Sequence, residues 1–96
     1  MKAYILINTE PSIIWEVAEA ALKIEGVKMA HAVTGQFDDV VFVEFAKMEE
    51  LGKILEKIQS VNGVRRTRVL VTVPPPTGSS LMAGQTYSPF SVHWAG

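Results

Sequence analysis

The stretch with most chemistry in this 96-residue chain is Thr34-Gly35-Gln36-Phe37-Asp38-Asp39, between the apolar runs His31-Ala32-Val33 and Val40-Val41-Phe42-Val43. Gly35 lets the backbone take a positive φ that a residue with a Cβ resists. Asp38 and Asp39 suit a tight turn, because a short carboxylate bonds to nearby backbone N–H groups. A hairpin connection follows from these residue types alone. The same turn could also bind a ligand. Bare N–H donors at a glycine turn meet a carboxylate, and a neighbouring Asp accepts from an ammonium. Thr34, Gly35, Gln36, Phe37 and Asp38 thus offer a receptor for each charge of an amino-acid zwitterion, with Phe37 as an apolar wall. Many hairpins contain Gly and Asp for folding alone, so both readings stand at this point.

Other reactive side chains form no comparable group. His31 and His93 are the only histidines, and neither is spaced with a carboxylate or a second histidine as a metal site requires. The chain has no cysteine, which rules out a disulfide framework and a cysteine-based zinc site and suits a reducing cytoplasm. Arg65, Arg66 and Arg68 could hold a phosphate, but charges at a strand start more commonly form a solvated edge that discourages edge-to-edge pairing. There is no glycine-rich phosphate loop and no activated serine. The expectation is no metal, no cofactor and no catalytic residue. The rival is a small enzyme built on His31, with Glu44 on a neighbouring strand as its partner.

Positioning the turn requires a sheet. Ala3 to Asn8 is apolar on both alternating faces, as a doubly buried strand would be. Thr9-Glu10-Pro11-Ser12 signals a helix start, with Thr9 or Ser12 as a capping hydroxyl and proline in the first turn. Ile13 to Glu25 is helical in period, with Ile14, Val17, Ala18, Ala21 and Ile24 on one side. Trp15 and Leu22 widen that apolar arc, and Gly26 stops the helix. Val27 to Val33 is a mixed strand, Val40 to Phe45 is apolar on both faces except Glu44, and a second helix opens at Lys47. Its buried stripe is Met48, Leu51, Leu55 and Ile58; Asn62-Gly63 ends it, and Val64 to Val73 is the last strand.

The order β-α-β-β-α-β predicts an α+β, ferredoxin-like split unit: a four-stranded antiparallel sheet with two helices on one face, first and third strands central. The helix-free face would leave a large apolar patch, for which a second copy is the commonest cover. Residues 1–73 make this domain. From Pro74 to Gly96 runs a proline-led tail without Asp, Glu, Lys or Arg, carrying Leu81, Met82, Tyr87, Phe90 and Trp94. A net charge of −1 argues against a general nucleic-acid binder. No apolar run is long enough to span a bilayer, and the short apolar N-terminus reads as a strand rather than a signal peptide.

The co-linear set Tyr4-Ile5-Leu6-Ile7-Asn8-Thr9, Ile24-Glu25-Gly26-Val27, Val33-Thr34-Gly35-Gln36-Phe37-Asp38 and Gly63-Val64-Arg65-Arg66-Thr67 resembles the effector domain of Lrp/AsnC-type regulators. This is the RAM domain (regulation of amino-acid metabolism), whose Gly-x-aromatic-Asp turn reads here Gly35-Gln36-Phe37-Asp38. The resemblance implies a non-enzymatic amino-acid-sensing and oligomerisation module in transcriptional or metabolic regulation. Its dimers, of the dimeric α+β barrel type, often assemble into a tetramer of dimers, with the ligand between dimers near the turn. Thr67 from an adjacent chain would add a hydroxyl contact, although Val69 stands where the family tends to carry a second hydroxyl. With no helix-turn-helix ahead of its first strand, the chain resembles a stand-alone RAM protein that does not itself read DNA. Such a protein could partner a full-length regulator. That barrel fold also hosts small monooxygenases and isomerases, and a purely structural oligomerisation role is a third reading.

Overall fold

Alternation in the first strand sets the architecture. The computed structural model describes residues 1–76, so the expected tail beyond Pro76 lies outside the described residues. Strand β1, Lys2–Thr9, buries Ala3, Ile5, Ile7 and Thr9 on one side and turns Lys2, Tyr4, Leu6 and Asn8 to the other. It pairs antiparallel with β3, Asp39–Glu44, along one edge and with β4, Val64–Val71, along the other. Strand β2, Val27–Ala32, adds outside β3, so the sheet order is β2-β3-β1-β4. The two doubly apolar strands are therefore the central pair, as the sequence predicts. A strand apolar on both faces asks for neighbours on both edges and cover on both faces, of which the helices supply one.

The two helices form that single cover. A 3₁₀ turn, Pro11–Ile13, leads into α1, Ile14–Leu22, which buries Val17, Ala18 and Ala21. Neither expected hydroxyl caps this start: no side chain caps either helical segment, and the Thr9 hydroxyl donates instead to the Glu10 carbonyl at 2.9 Å. Pro11, with its fixed φ, makes the turn without a cap. Helix α2, Met48–Gln59, buries Leu51, Ile54 and Ile58. The expected stripe is corrected at both ends of its arc. Met48, in the first turn, is 56% exposed, Leu55 is half-buried, and Ile54 takes the core position. Ile5, Ile7, Val17, Val41, Val43 and Ile58 form the centre of the core. Each such side chain contributes about 1.5–3 kcal/mol by leaving water.

The opposite face of the sheet carries no helix among the described residues. Register places Tyr4 beside Phe42 and Leu70, Leu6 beside Val40 and Arg68, and Asn8 beside Arg66. Met29 and His31 on β2 stand opposite Phe42 and Val40. The Tyr4 and Phe42 rings pack at 5.1 Å between centroids, tilted by 45°. Tyr4, Met29 and Leu70 are 42%, 46% and 51% exposed, so the centre of this face is an apolar field open to solvent. Arginines stand on its β4 side.

Candidate functional site

The connection from β2 to β3 is fastened to the end of β1 by the chain's own polar groups. The Val33 N–H donates to the Asp38 carbonyl at 2.8 Å, closing the loop on itself. The Asp38 N–H then donates to the Ile7 carbonyl at 2.9 Å. The Asp38 side chain adds a third tie, its Oδ2 accepting from the Thr9 N–H at 2.8 Å. Asn8 completes the fastening, donating from Nδ2 to the Gln36 carbonyl at 2.8 Å. Within this frame Gly35 takes φ 114°, and no atom lies within 4 Å of where a Cβ would stand. Conformation, rather than space, asks for glycine here. Thr34, Gly35 and Gln36 are exposed, while Phe37 and Asp38 are half-buried.

That frame leaves an unsatisfied set of donors. Among the described residues the N–H groups of Thr34, Gly35, Gln36 and Phe37 have no hydrogen-bond partner. Asp38 Oδ1 likewise makes no hydrogen bond, since the Thr9 N–H uses Oδ2. The turn therefore presents open N–H donors and, at Asp38, a carboxylate oxygen without a hydrogen bond. Next to it, the Arg68 guanidinium lies 6.0 Å from the centroid of the Phe37 ring, at the outer limit of a cation–π contact.

Asp39 is the other unusual group. Its parity is that of Val41 and Val43, so its side chain enters the helix-covered face, fully buried. Neither carboxylate oxygen has a hydrogen-bond partner. Burial, with the Asp38 charge adding to it, pushes the Asp39 carboxyl from 3.8 up to about 6.

The structure brings Thr34 through Asp38 together, but not Thr67. Thr67 stands opposite Ile7 on the helix-covered face, half-buried, its hydroxyl accepting from Gln59 Nε2 at 3.0 Å. His31 is exposed opposite Val40, whereas Glu44 closes the far end of β3 opposite Lys2, so the two do not meet. Among the described residues no group of three His, Cys, Asp or Glu side chains could hold a metal ion. No helix among them is long and apolar enough to cross a membrane. A cleft of about 420 Å³ at the other end of the sheet is walled by Glu25, Lys28, Glu44, Glu50, Lys53 and Lys57. Interleaved charges of both signs make it a solvated groove rather than a selective pocket.

Sequence reasoning gave Asn8 no role in the site, weighed Arg68 only as a phosphate ligand, and expected Asp39 to bond within the turn, whereas Asp39 opens β3 with its carboxylate buried and without a partner. The signal for each was parity. Asn8 shares a face with Tyr4 and Leu6, Arg68 shares one with Leu70, and Asp39 stands in a row of core valines.

Comparison with known proteins bears on this arrangement. The model of the Lrp/AsnC ligand binding domain matches residues 2–76. An HTH-type transcriptional regulator of Pyrococcus furiosus is 39% identical over 74 residues, covering 73% of this chain and 49% of the relative. The chain spans about half the length of the curated relatives it matches. The crystal structure of TTHA0845 from Thermus thermophilus superposes with a TM-score of 0.73 at 29% identity, covering 77% of this chain and 94% of that one. A feast or famine regulatory protein of M. tuberculosis, complexed with L-methionine, shares the fold with a TM-score of 0.60 at 22% identity, over 81% of this chain and 54% of that one.

Proposed function

Since the chain belongs to the Lrp/AsnC ligand binding domain family, we propose that it senses a free amino acid at the Thr34–Asp38 turn. The observation that carries this reading is the turn itself: unpartnered N–H groups and, at Asp38, a carboxylate with one oxygen to spare. The N–H groups receive the ligand carboxylate, Asp38 Oδ1 receives the ammonium, and Phe37 walls the side chain. The L-methionine held by the M. tuberculosis relative supports the ligand class.

The functional unit is an oligomer. The apolar open face, centred on Tyr4, Leu6, Val40 and Phe42, seats a second copy of the chain. Further assembly into a tetramer of dimers brings turns from different dimers together, and Thr67 enters the site only from such a neighbouring chain. The role is regulatory and non-enzymatic, exerted alone or through a full-length regulator of the kind the relatives' names describe. A thermal-shift screen of the common amino acids, followed by calorimetry on any hit, tests this. A saturable ligand is expected; none binding at millimolar concentration would leave an oligomerisation role alone.

A further inference from the structure

The turn lacks one element that a zwitterion receptor usually has, a full positive charge. Strand β4 brings one. Its alternation puts Arg66 and Arg68 on the open face, beside Asn8 and Leu6 at the end of β1 that holds the turn. Both are on an edge strand, at the rim of the apolar field rather than its centre. The Arg68 guanidinium reaches across this rim to the Phe37 ring. A guanidinium held against an aromatic ring keeps its in-plane N–H donors, whose fork matches a carboxylate. Phe37, which the cation approaches, is also the chain neighbour of Asp38, the anion of the turn.

We propose that Arg68 receives the carboxylate of the ligand and makes the site select molecules with a free carboxylate over amines of the same side chain. The inference rests on the amino-acid reading of the turn. It goes beyond that reading by assigning the full positive charge, and with it the discrimination between an acid and its neutral derivatives. The backbone N–H groups then act as neutral auxiliaries, and Phe37 positions the guanidinium.

The test is calorimetry with L-methionine and L-methioninamide, which share the side chain and the ammonium and differ at the carboxylate. Wild type, Arg68→Gln and Arg68→Lys are compared at roughly pH 6.5, where α-amines remain protonated. Arg68→Gln should weaken L-methionine by about 10- to 100-fold, the worth of a hydrogen bond to a charged group, and leave the amide unchanged. Arg68→Lys should recover part of the loss, because it keeps the charge without the fork. Equal weakening of acid and amide would overturn the proposal, since it would mean Arg68 only holds Phe37. An unchanged affinity for the acid would overturn it too, with the amino-acid reading intact. If L-methionine does not bind, whichever amino acid the screen identifies is used with its own amide. If the wild type binds none, the amino-acid reading fails and the assignment of Arg68 falls with it.

Discussion

Asp39 stands where its strand's alternation asks for another valine. A buried carboxylate without partners resists ionising, and its pKa is raised for that reason, with the Asp38 charge beside it adding to the effect. Because the folded pKa exceeds the unfolded one, the folded state holds the extra proton. Its contribution to stability is full below about 3.8 and is lost as pH rises through about 6. The shift corresponds to about 3 kcal/mol between those limits. Thermal melts at several pH values should show stability falling across this window, and Asp39→Asn should flatten that fall and raise the melting temperature at neutral pH. A profile in the variant parallel to the wild type would mean that other groups carry the pH dependence. Asp38 is used differently. Asp38→Asn keeps an oxygen for the Thr9 N–H but loses the charge, so it should weaken an amino-acid ligand by roughly one to two decades with little loss of stability. Calorimetry beside a melt separates the two effects. At this scale the turn was legible in the sequence because glycine and aspartate announce it. The two aspartates were not told apart. Which of them ties the backbone and which is sealed in the core depends on a register that only the folded sheet fixes.

Elements were the most legible level, for a physical reason. A strand apolar on both faces and a helix apolar on one stripe carry their burial in their period, and β1, β3 and α2 each do so. What the period leaves open is the fine contact. Met48 fits the stripe arithmetically yet lies exposed in the first turn of α2, and Ile54 takes a core position instead. Close approach between elements was likewise invisible. Gly63 ends the α2–β4 connection with φ 97°, and a Cβ there would overlap the Ile13 Cδ1 atom of the turn before α1. The Glu10 N–H also donates to the Gly63 carbonyl at 3.0 Å, so this backbone has little freedom to move away. Gly63→Ala therefore combines an unfavourable φ with a contact that the tip of the Ile13 side chain must vacate, and should cost about 1–2 kcal/mol. Urea denaturation checks it. Ile13→Ala in the same chain should restore part of the loss if the clash dominates, and none if the dihedral does.

At the scale of the whole domain, the sheet has one face covered by helices and, among the described residues, one open. The second-copy reading predicts that Phe42→Lys, with its charge at the centre of the open face beside Tyr4, Val40 and Met29, yields a monomer. An unpaired cation in an apolar contact costs several kcal/mol, comparable to a whole protein–protein hot spot. Sedimentation equilibrium at micromolar concentration should find the wild type at dimer mass or above, and the variant at one chain. A monomeric wild type would refute the reading. The order of strands has a kinetic consequence as well. The first strand made is the one that must end up in the middle, and its register joins Lys2 to Glu44 and Ala3 to Val71. One edge of β1 waits for β3 and the other for β4, so both are satisfied only when the last strand has arrived. Loop closure over such separations is unfavourable before the contacts that repay it exist, which slows folding and makes it all-or-none. A chain ending at Gln59 keeps β1, β3 and both helices but lacks β4. It should show no cooperative melt by circular dichroism, whereas residues 1–76 should melt in one step. A sigmoidal transition in the shorter chain would mean that folding can begin before the final strand arrives.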